Sequence, residues 1–156
     1  MNEPALRLRE AGSEDVRFYW EVNNTPTTRA LSISPEPIAW EGHKAWYAAR
    51  LSDAQTSLYV AELNEKRVGV LRIERDDKAR ATISIALSEV YQGRGLGRQL
   101  IAEGTRLTLA APAITQVIAL IRPNNIGSVR AFQAAGYRAA GEAIERGVSL
   151  LRFIAS

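Results

Sequence analysis

The chain has 156 residues, 46% of them hydrophobic and 24% charged, and a formal net charge of +3, which is the balance expected of one globular domain with a single core. It contains no cysteine and one histidine, which excludes a disulfide framework, a cysteine nucleophile, and metal sites built from thiolates or several histidines. The scattered basic residues argue against nucleic-acid binding, and the lack of an apolar run of roughly 18 residues argues against a membrane span.

The N-terminal third, residues 1–56, predicts one strand and two helices around a polar loop. Met1–Glu10 lacks the apolar stretch of a signal peptide, so we expect a cytoplasmic protein. The predicted elements are a strand at Ala5–Arg9, a helix from an N-cap at Ser13 to about Val22, a loop at Thr27–Pro37 and a helix at Trp40–Leu51.

The remaining part, residues 57–156, alternates strand and helix patterns. The predicted strands are Leu58–Leu63, Val68–Arg75, Ala81–Leu87, Val117–Ile121, Tyr137–Gly141 and Val148–Ile154. The predicted helices run from Gly97 to about Ala110 and from Ser128 to Ala135. Residues 1–156 therefore predict a single α/β (α+β) domain, with a mixed sheet of about six to seven strands and about four helices.

A glycine-rich turn, Gln92–Arg98 (QGRGLGR), separates the strand Ala81–Leu87 from the next helix. Glycine permits close approach of the backbone to a ligand, and the first amides of a helix are free and electropositive. Such a turn binds a diphosphate without a metal ion, and Arg94 and Arg98 add charge-assisted contacts. The spacing matches neither the dinucleotide fingerprint nor the P-loop. A glycine-rich connection without a ligand is the alternative.

The turn and a second segment together resemble a known family. Gln92–Gly97 resembles the acetyl-CoA motif of the GNAT N-acetyltransferase superfamily, and Asn125–Tyr137 (NIGSVRAFQAAGY) is similar to that family's N-x-x-[SA]-x-x-x-[YF]-x-x-x-G-[FY] segment. The resemblance covers residues 58–137 well. It implies a GNAT-like fold, in which the strand ending at Leu87 splays from Val117–Ile121, and an acetyl-CoA-dependent N-acetyltransferase activity.

The resemblance also implies how acetyl-CoA is held. The backbone of Ile85–Leu87 would pair with the pantetheine arm, and the amides of Gln92–Arg98 would hold the pyrophosphate. The implied acetyl-CoA-binding residues are Ile85, Ala86, Leu87, Gln92, Gly93, Arg94, Gly95, Leu96, Gly97, Arg98, Asn125, Ser128, Arg130 and Phe132. The acetyl group is expected to pass directly to a neutral amine, with no metal ion and no covalent enzyme intermediate.

The general acid departs from the family pattern. Many relatives have tyrosine at the position of Phe132, where it protonates the leaving thiolate, and phenylalanine has no hydroxyl. Tyr137, Tyr91, water or no acid at all stay open for this role. Asn125 is the further catalytic candidate, near the thioester.

The general base is also open, because Thr82 and Ser84 occupy the region where relatives often have a carboxylate. Glu62, Glu74 and Asp76 are candidate bases, acting directly or through water. The alternative for each is an ordinary solvated charge.

The acceptor side carries the pattern I-x-x-x-x-H-x-x-W-[FY] at Ile38–Tyr47. This is similar to a branch that contains ribosomal-protein-type acetyltransferases and acetyltransferases of nucleotide-linked 4-amino sugars. We therefore expect a small primary amine as acceptor, and such a sugar as the sharpest hypothesis. The candidate substrate-binding residues are Asn23, Asn24, Arg29, His43, Trp46 and Tyr47.

Each of these side chains has two interpretations. Trp46 and Tyr47 would stack a sugar or uracil ring, or else anchor their helix to the sheet. His43 would orient a hydroxyl or phosphate, or lie at the rim of the helix. Arg29 would pair with a nucleotide diphosphate, or be a solvated surface residue.

Two other functions stay open. One is acetylation of a protein N-terminus or lysine, which calls for an open groove. The other is a non-catalytic acetyl-CoA-binding module, an alternative that depends on Phe132. A homodimer is expected by analogy with the superfamily alone.

Overall fold

The structure is a computed structural model that describes residues 5–156. Within that range, seven strands form one sheet in the order β1-β2-β3-β4-β5-β7-β6. The strands are β1 Arg7–Glu10, β2 Thr56–Leu63, β3 Lys66–Arg75, β4 Arg80–Leu87, β5 Gln116–Ile121, β6 Arg138–Glu145 and β7 Val148–Ala155. The helices are α1 Val16–Asn23, α2 Pro26–Ala30, α3 Trp40–Leu51, α4 Leu96–Leu109 and α5 Ile126–Ala134. The predicted mixed α/β sheet flanked by helices is confirmed.

Helices cover both faces of the sheet. Successive residues of a strand point to opposite sides, so adjacent residues of β3 pack against different helices. Leu71 on β3 packs with Leu100 and Ile101 of α4 in the larger core cluster. Its neighbour Val70 packs with Tyr19 of α1 and Tyr47 of α3 in the smaller one. None of the helices in residues 5–156 combines the length and hydrophobicity that crossing a bilayer requires.

Three local predictions differ from the structure. Ser13 is not an N-cap but begins a 3-10 turn, Ser13–Asp15, in which the Asp15 carboxylate accepts from the Gly12 amide at 2.9 Å. The loop Thr27–Pro37 includes most of α2, which begins at Pro26 behind the N-cap Thr25. β6 continues past Gly141, where a register shift in the pairing with β7 marks a bulge rather than the end of the strand.

The pairing of β4 with β5 positions the site. These strands are the one parallel pair in the described sheet, and their register covers only Arg80–Thr82 against Gln116–Ile118. Ile83–Leu87 pairs with β3 but not with β5. The predicted splay is confirmed, and it opens a gap in the sheet between two buried strands.

Candidate functional site

A cleft of about 1290 Å³ runs through this gap, from the Gln92–Arg98 turn to α2 and α3. It is larger than the roughly 300–1,000 Å³ of a site for one drug-sized ligand, so it has room for two reactants. The sequence-predicted residues that line it are Asn23, Arg29, His43, Trp46, Glu74, Ile85, Ala86, Leu87, Gln92, Gly93, Gly95, Gly97, Arg98, Asn125, Ser128, Arg130 and Phe132. The sequence-predicted residues outside its lining are Asn24, Tyr47, Glu62, Asp76, Tyr91, Arg94, Leu96 and Tyr137.

The glycine-rich turn brings free amides to one end of the cleft. Gly93 and Gly95 both have φ of +75°, the left-handed region that favours glycine. A Cβ at either position would meet nothing within 4 Å, so the requirement is for conformation rather than space. Gly95 is the N-cap of α4, and no side chain caps the helix. Leu96, the first residue of α4, is buried.

The opposite wall of this end is α5. Asn125 is its N-cap, and its side-chain oxygen accepts from the Ser128 amide at 3.3 Å. Phe132, in the second half of the same helix, is 3% exposed and lies edge-on to Tyr137, with ring centroids 5.0 Å apart. The family segment around Asn125 is therefore a capped helix that borders the cleft.

The structure does not bring Tyr137 to the cleft. Its hydroxyl lies 2.6 Å from the hydroxyl of Thr105 on α4, and its side chain is 4% exposed. Burial raises its pKa to about 12. Tyr137 packs behind Phe132 instead of pointing into the site, so its proposed role as an acid lacks the necessary geometry.

Two of the three candidate bases also lie elsewhere. Glu62 accepts from Arg9 Nε at 3.0 Å on the β1–β2 side of the sheet. Asp76 accepts from the Lys78 amide at 2.8 Å and from Arg80 Nε at 2.9 Å in the turn between β3 and β4. Each carboxylate therefore has a structural role: Glu62 joins β2 to β1, and Asp76 holds the turn between β3 and β4.

Glu74 is the candidate base that the cleft does contain. Arg72 Nε donates to it at 2.8 Å, and Arg72 Nη2 lies 3.4 Å from the hydroxyl of Ser84 on β4. The same guanidinium sits 5.3 Å from the ring centroid of Trp46 on α3. Arg72 thus joins a carboxylate, a hydroxyl and an aromatic face along one wall. Sequence analysis missed Arg72, although its alternation with buried Leu71 and Ile73 places it on the α3 side of the sheet.

The face of α3 divides between anchoring and the cleft. Tyr47 is 2% exposed and donates its hydroxyl to the Gly12 carbonyl at 2.6 Å, so it anchors the helix. His43 is 4% exposed, and its Nε2 donates to the Val16 carbonyl at 2.8 Å. Burial lowers the pKa of His43 below its ordinary 6.5, which favours the neutral ring. Trp46 is half-buried, and its ring faces the guanidinium of Arg72 on the cleft wall.

The loop after α2, residues 31–34, lies at the end of the cleft that α2 and α3 line, which we call the acceptor end. Arg122, which follows β5, donates to the backbone carbonyls of Ser32 at 2.7 Å and Ile33 at 3.3 Å. Arg146, in the turn between β6 and β7, donates to the Ser34 hydroxyl at 2.9 Å. Sequence analysis missed both arginines. No local pattern marks them, because their partners are about 90 to 110 residues away in the chain.

Comparison with known proteins places this geometry in a family. A family model described as "Acetyltransferase (GNAT) domain" matches residues 5–138. No curated protein matches the sequence.

Several solved structures have the same fold at low sequence identity. Aminoglycoside acetyltransferase AAC(6')-Ib with ribostamycin and coenzyme A has a TM-score of 0.87 at 17% identity, over 97% of this chain and 93% of that chain. Spermidine N-acetyltransferase from Vibrio cholerae with CoA and spermine has a TM-score of 0.84 at 18% identity, over 96% and 94%. A domain from Methanocaldococcus jannaschii has a TM-score of 0.84 at 18% identity, over 98% and 99%.

Proposed function

Since the chain belongs to the GNAT family of N-acetyltransferases, we propose that its cleft binds acetyl-CoA with a small primary amine and transfers the acetyl group directly between them. Acetyl-CoA supplies the acetyl thioester, whose carbonyl carbon forms a bond to the amine nitrogen as the C–S bond breaks and the thiolate leaves. The observation that carries the proposal is the gap between β4 and β5, which ends at the uncapped N-terminus of α4.

The protein groups at this end fit an elongated, anionic donor. The β5-facing edge of Ile83–Leu87 pairs with no strand, so it is available to an extended ligand in the manner of an added strand. The N-terminal amides of α4 lie next to Gly93 and Gly95 and suit a pyrophosphate. Arg98 and Arg130 line the same cleft and add positive charge.

We propose that Glu74 accepts the proton that the amine loses, because it is the member of the three candidate carboxylates that lines the cleft. Its ion pair with Arg72 leaves the Glu74 side chain 44% exposed, so water can relay the proton to it. Phe132 offers no proton for the leaving thiolate. We propose that water protonates the thiolate, because the structure places Tyr137 behind Phe132.

The acceptor is proposed to be a small amine rather than a peptide. An extended peptide needs an open groove, and here the 31–34 loop is tied to Arg122 and Arg146 on the far side of the cleft. These contacts narrow the acceptor end. A protein N-terminus or a lysine side chain in a folded substrate would require the loop to open.

A nucleotide-linked 4-amino sugar is the acceptor that we propose within this class. The support is the similarity of Ile38–Tyr47 to acetyltransferases of such sugars, together with the half-buried indole of Trp46 beside the cleft. An indole face stacks on sugars and bases and buries a large apolar area.

Thermal unfolding with and without acetyl-CoA tests the donor site. At about 100-fold above the dissociation constant, the ligand should stabilise the protein by roughly 2.7 kcal/mol. The matched control is S-acetyl-N-acetylcysteamine, a thioester that lacks the pyrophosphate and should stabilise far less. Absence of a shift at millimolar acetyl-CoA would refute the proposal, and equal shifts for the two thioesters would refute the role of the turn.

Release of free CoA thiol in a screen of amines tests catalysis and the acceptor. Turnover of an amino-sugar nucleotide supports the finer proposal. Turnover with peptides alone would replace it with the protein-acetylating alternative. Stabilisation by acetyl-CoA without turnover of any amine would favour a binding module without catalysis.

A further inference from the structure

The acceptor end of the cleft is strongly cationic. Here the acceptor end means the part lined by α2, the 31–34 loop, α3, the end of β3, the residue that follows β5 and the β6–β7 turn. The charged residues lining the whole cleft are Arg29, Arg50, Arg72, Arg98, Arg122, Arg130, Arg146, Glu74 and Glu145. Arg98 and Arg130 belong to α4 and α5 at the donor end, so five guanidiniums and two carboxylates remain for the acceptor end.

Most of these five guanidiniums are already engaged. Four have partners within the protein: Arg50 with Asp53, Arg72 with Glu74, Arg122 with the carbonyls of Ser32 and Ile33, and Arg146 with the hydroxyl of Ser34. These contacts fix the walls of the cleft. The Nε of Arg50 is buried without an acceptor although its Nη1 donates to Asp53, whereas Arg29 has no side-chain partner at all among residues 5–156.

Arg29 is a half-buried cation without a partner among residues 5–156. It lies in the last turn of α2, and its Nε is buried with no hydrogen-bond acceptor. Burial lowers its pKa, and the negative charge of Glu36 opposes that effect without forming an ion pair within the described range. A buried guanidinium donor without an acceptor is costly, so such a group is retained where a ligand supplies the acceptor.

We propose that Arg29 binds an oxyanion carried by the acceptor, so the substrate is an amine that also bears a phosphate or a carboxylate. The inference rests on the proposed acetyl transfer and specifies the substrate class of the same cleft. Guanidinium pairs with either oxyanion in a two-pronged geometry, which would satisfy the buried Nε together with a terminal nitrogen. The neighbouring arginines of the acceptor end strengthen the same preference through their field.

The same charges disfavour polycationic acceptors. A spermine molecule would place its ammonium groups among five guanidiniums and two carboxylates, one of which is already paired with Arg72. Like charges held close together oppose binding. The chain therefore differs in acceptor class from the spermidine acetyltransferase that has its fold.

The test measures binding of four small amines to the complex of the protein with CoA, by calorimetry in a buffer without phosphate. The amines are 2-aminoethyl phosphate, β-alanine, ethanolamine and spermine, which carry a phosphate, a carboxylate, no anion and several cations. At least one of the two anionic amines should bind about tenfold to hundredfold more tightly than ethanolamine. The comparison between these two identifies which oxyanion the site takes.

Arg29→Gln should remove that advantage, and Arg29→Lys should retain part of it. Arg138→Gln, which removes an exposed arginine outside the cleft lining, is the matched control and should leave it unchanged. Thermal stabilisation of Arg29→Gln by acetyl-CoA should equal that of the wild type, which shows that the fold and the donor site are intact.

The inference is overturned if neither anionic amine binds saturably, if spermine or ethanolamine binds as tightly, or if Arg29→Gln keeps the preference. A protein that binds acetyl-CoA and shows any of these results refutes the anionic acceptor alone. A protein that is not stabilised by acetyl-CoA refutes the proposed function instead.

Discussion

Replacing Asp15 with asparagine removes the charge at the centre of the ion-pair network that anchors α1. The Asp15 carboxylate is fully buried and accepts from Arg9 at 2.7 and 2.9 Å, from the Gly12 amide at 2.9 Å and from Arg67 at 3.4 Å. Asparagine keeps the shape and one acceptor oxygen but removes the Asp15 charge, which leaves Arg9 paired with Glu62 alone. The 3-10 turn that holds α1 on β1 should therefore loosen.

The expected loss in the free energy of unfolding is about 2–3 kcal/mol. Removing one partner of a fully buried pair costs about 3–5 kcal/mol. The side chain of Arg9 is 34% exposed, so water screens it and the cost falls below that range. For a domain of this length, the melting temperature should drop by roughly 5–10 °C.

The dependence of the free energy of unfolding on pH provides a second, independent test of the prediction. The hydrogen bonds from Arg9 lower the pKa of Asp15 below its ordinary 3.8, so the carboxylate stabilises the fold fully above the unfolded-state pKa. That contribution disappears as pH falls through about 3.8 towards the folded-state pKa. The difference between wild type and Asp15→Asn should therefore be constant from pH 7 to pH 5 and shrink below pH 4.

Urea unfolding at several pH values measures both quantities. Glu103→Gln is the control, because its pair with Arg106 lies on the surface of α4, where water screens it, and should contribute little to the free energy of unfolding. A loss below 1 kcal/mol for Asp15→Asn, with no dependence on pH, would refute the argument that this ion pair stabilises the fold.

Three further substitutions probe the core, the turn and the leaving group. Gly104→Ala should destabilise by about 1–2 kcal/mol in urea unfolding, since its Cβ would clash with the side chain of buried Leu71. Gly42→Ala, with no atom nearby, should stabilise by about 0.5–1 kcal/mol. Gly95→Ala strains a φ of +75° and should weaken acetyl-CoA binding about 5- to 30-fold by calorimetry, whereas Gly95→Asn, which tolerates that φ, should weaken it less. Phe132→Tyr should alter the pH–rate profile of CoA release by adding a phenol; an unchanged profile would exclude a role for a hydroxyl there.

Local elements were predictable because their signals lie close together in the chain. The α4 helix and its turn combine adjacent glycines with apolar residues at helical spacing, and Leu96, Leu100 and Ile101 are indeed buried. The short helix α2 was missed although Thr25 and Pro26 are an N-cap and first-turn pair. Five residues give too little periodicity to separate such a helix from a loop.

The side chains of the site were less predictable than its backbone. Glu62 and Glu74 are both strand carboxylates in the sequence, yet one pairs with Arg9 on β1 and the other lines the cleft. Likewise Tyr47 and Trp46 are adjacent on α3, but the first is buried and the second reaches the cleft wall. Their surroundings depend on which strands and helices are neighbours in the fold, and single residues do not encode that.

The sequence by itself therefore determined the family resemblance and the glycine-rich turn that we propose as the pyrophosphate site, because consecutive residues form that turn. Only the tertiary structure decided which charges meet at the acceptor end. Arg122 and Arg146 reach the 31–34 loop across some 90 to 110 residues, and Arg29 is left half-buried beside them. Contacts over such separations form only when the sheet order brings β5 and the β6–β7 turn next to α2.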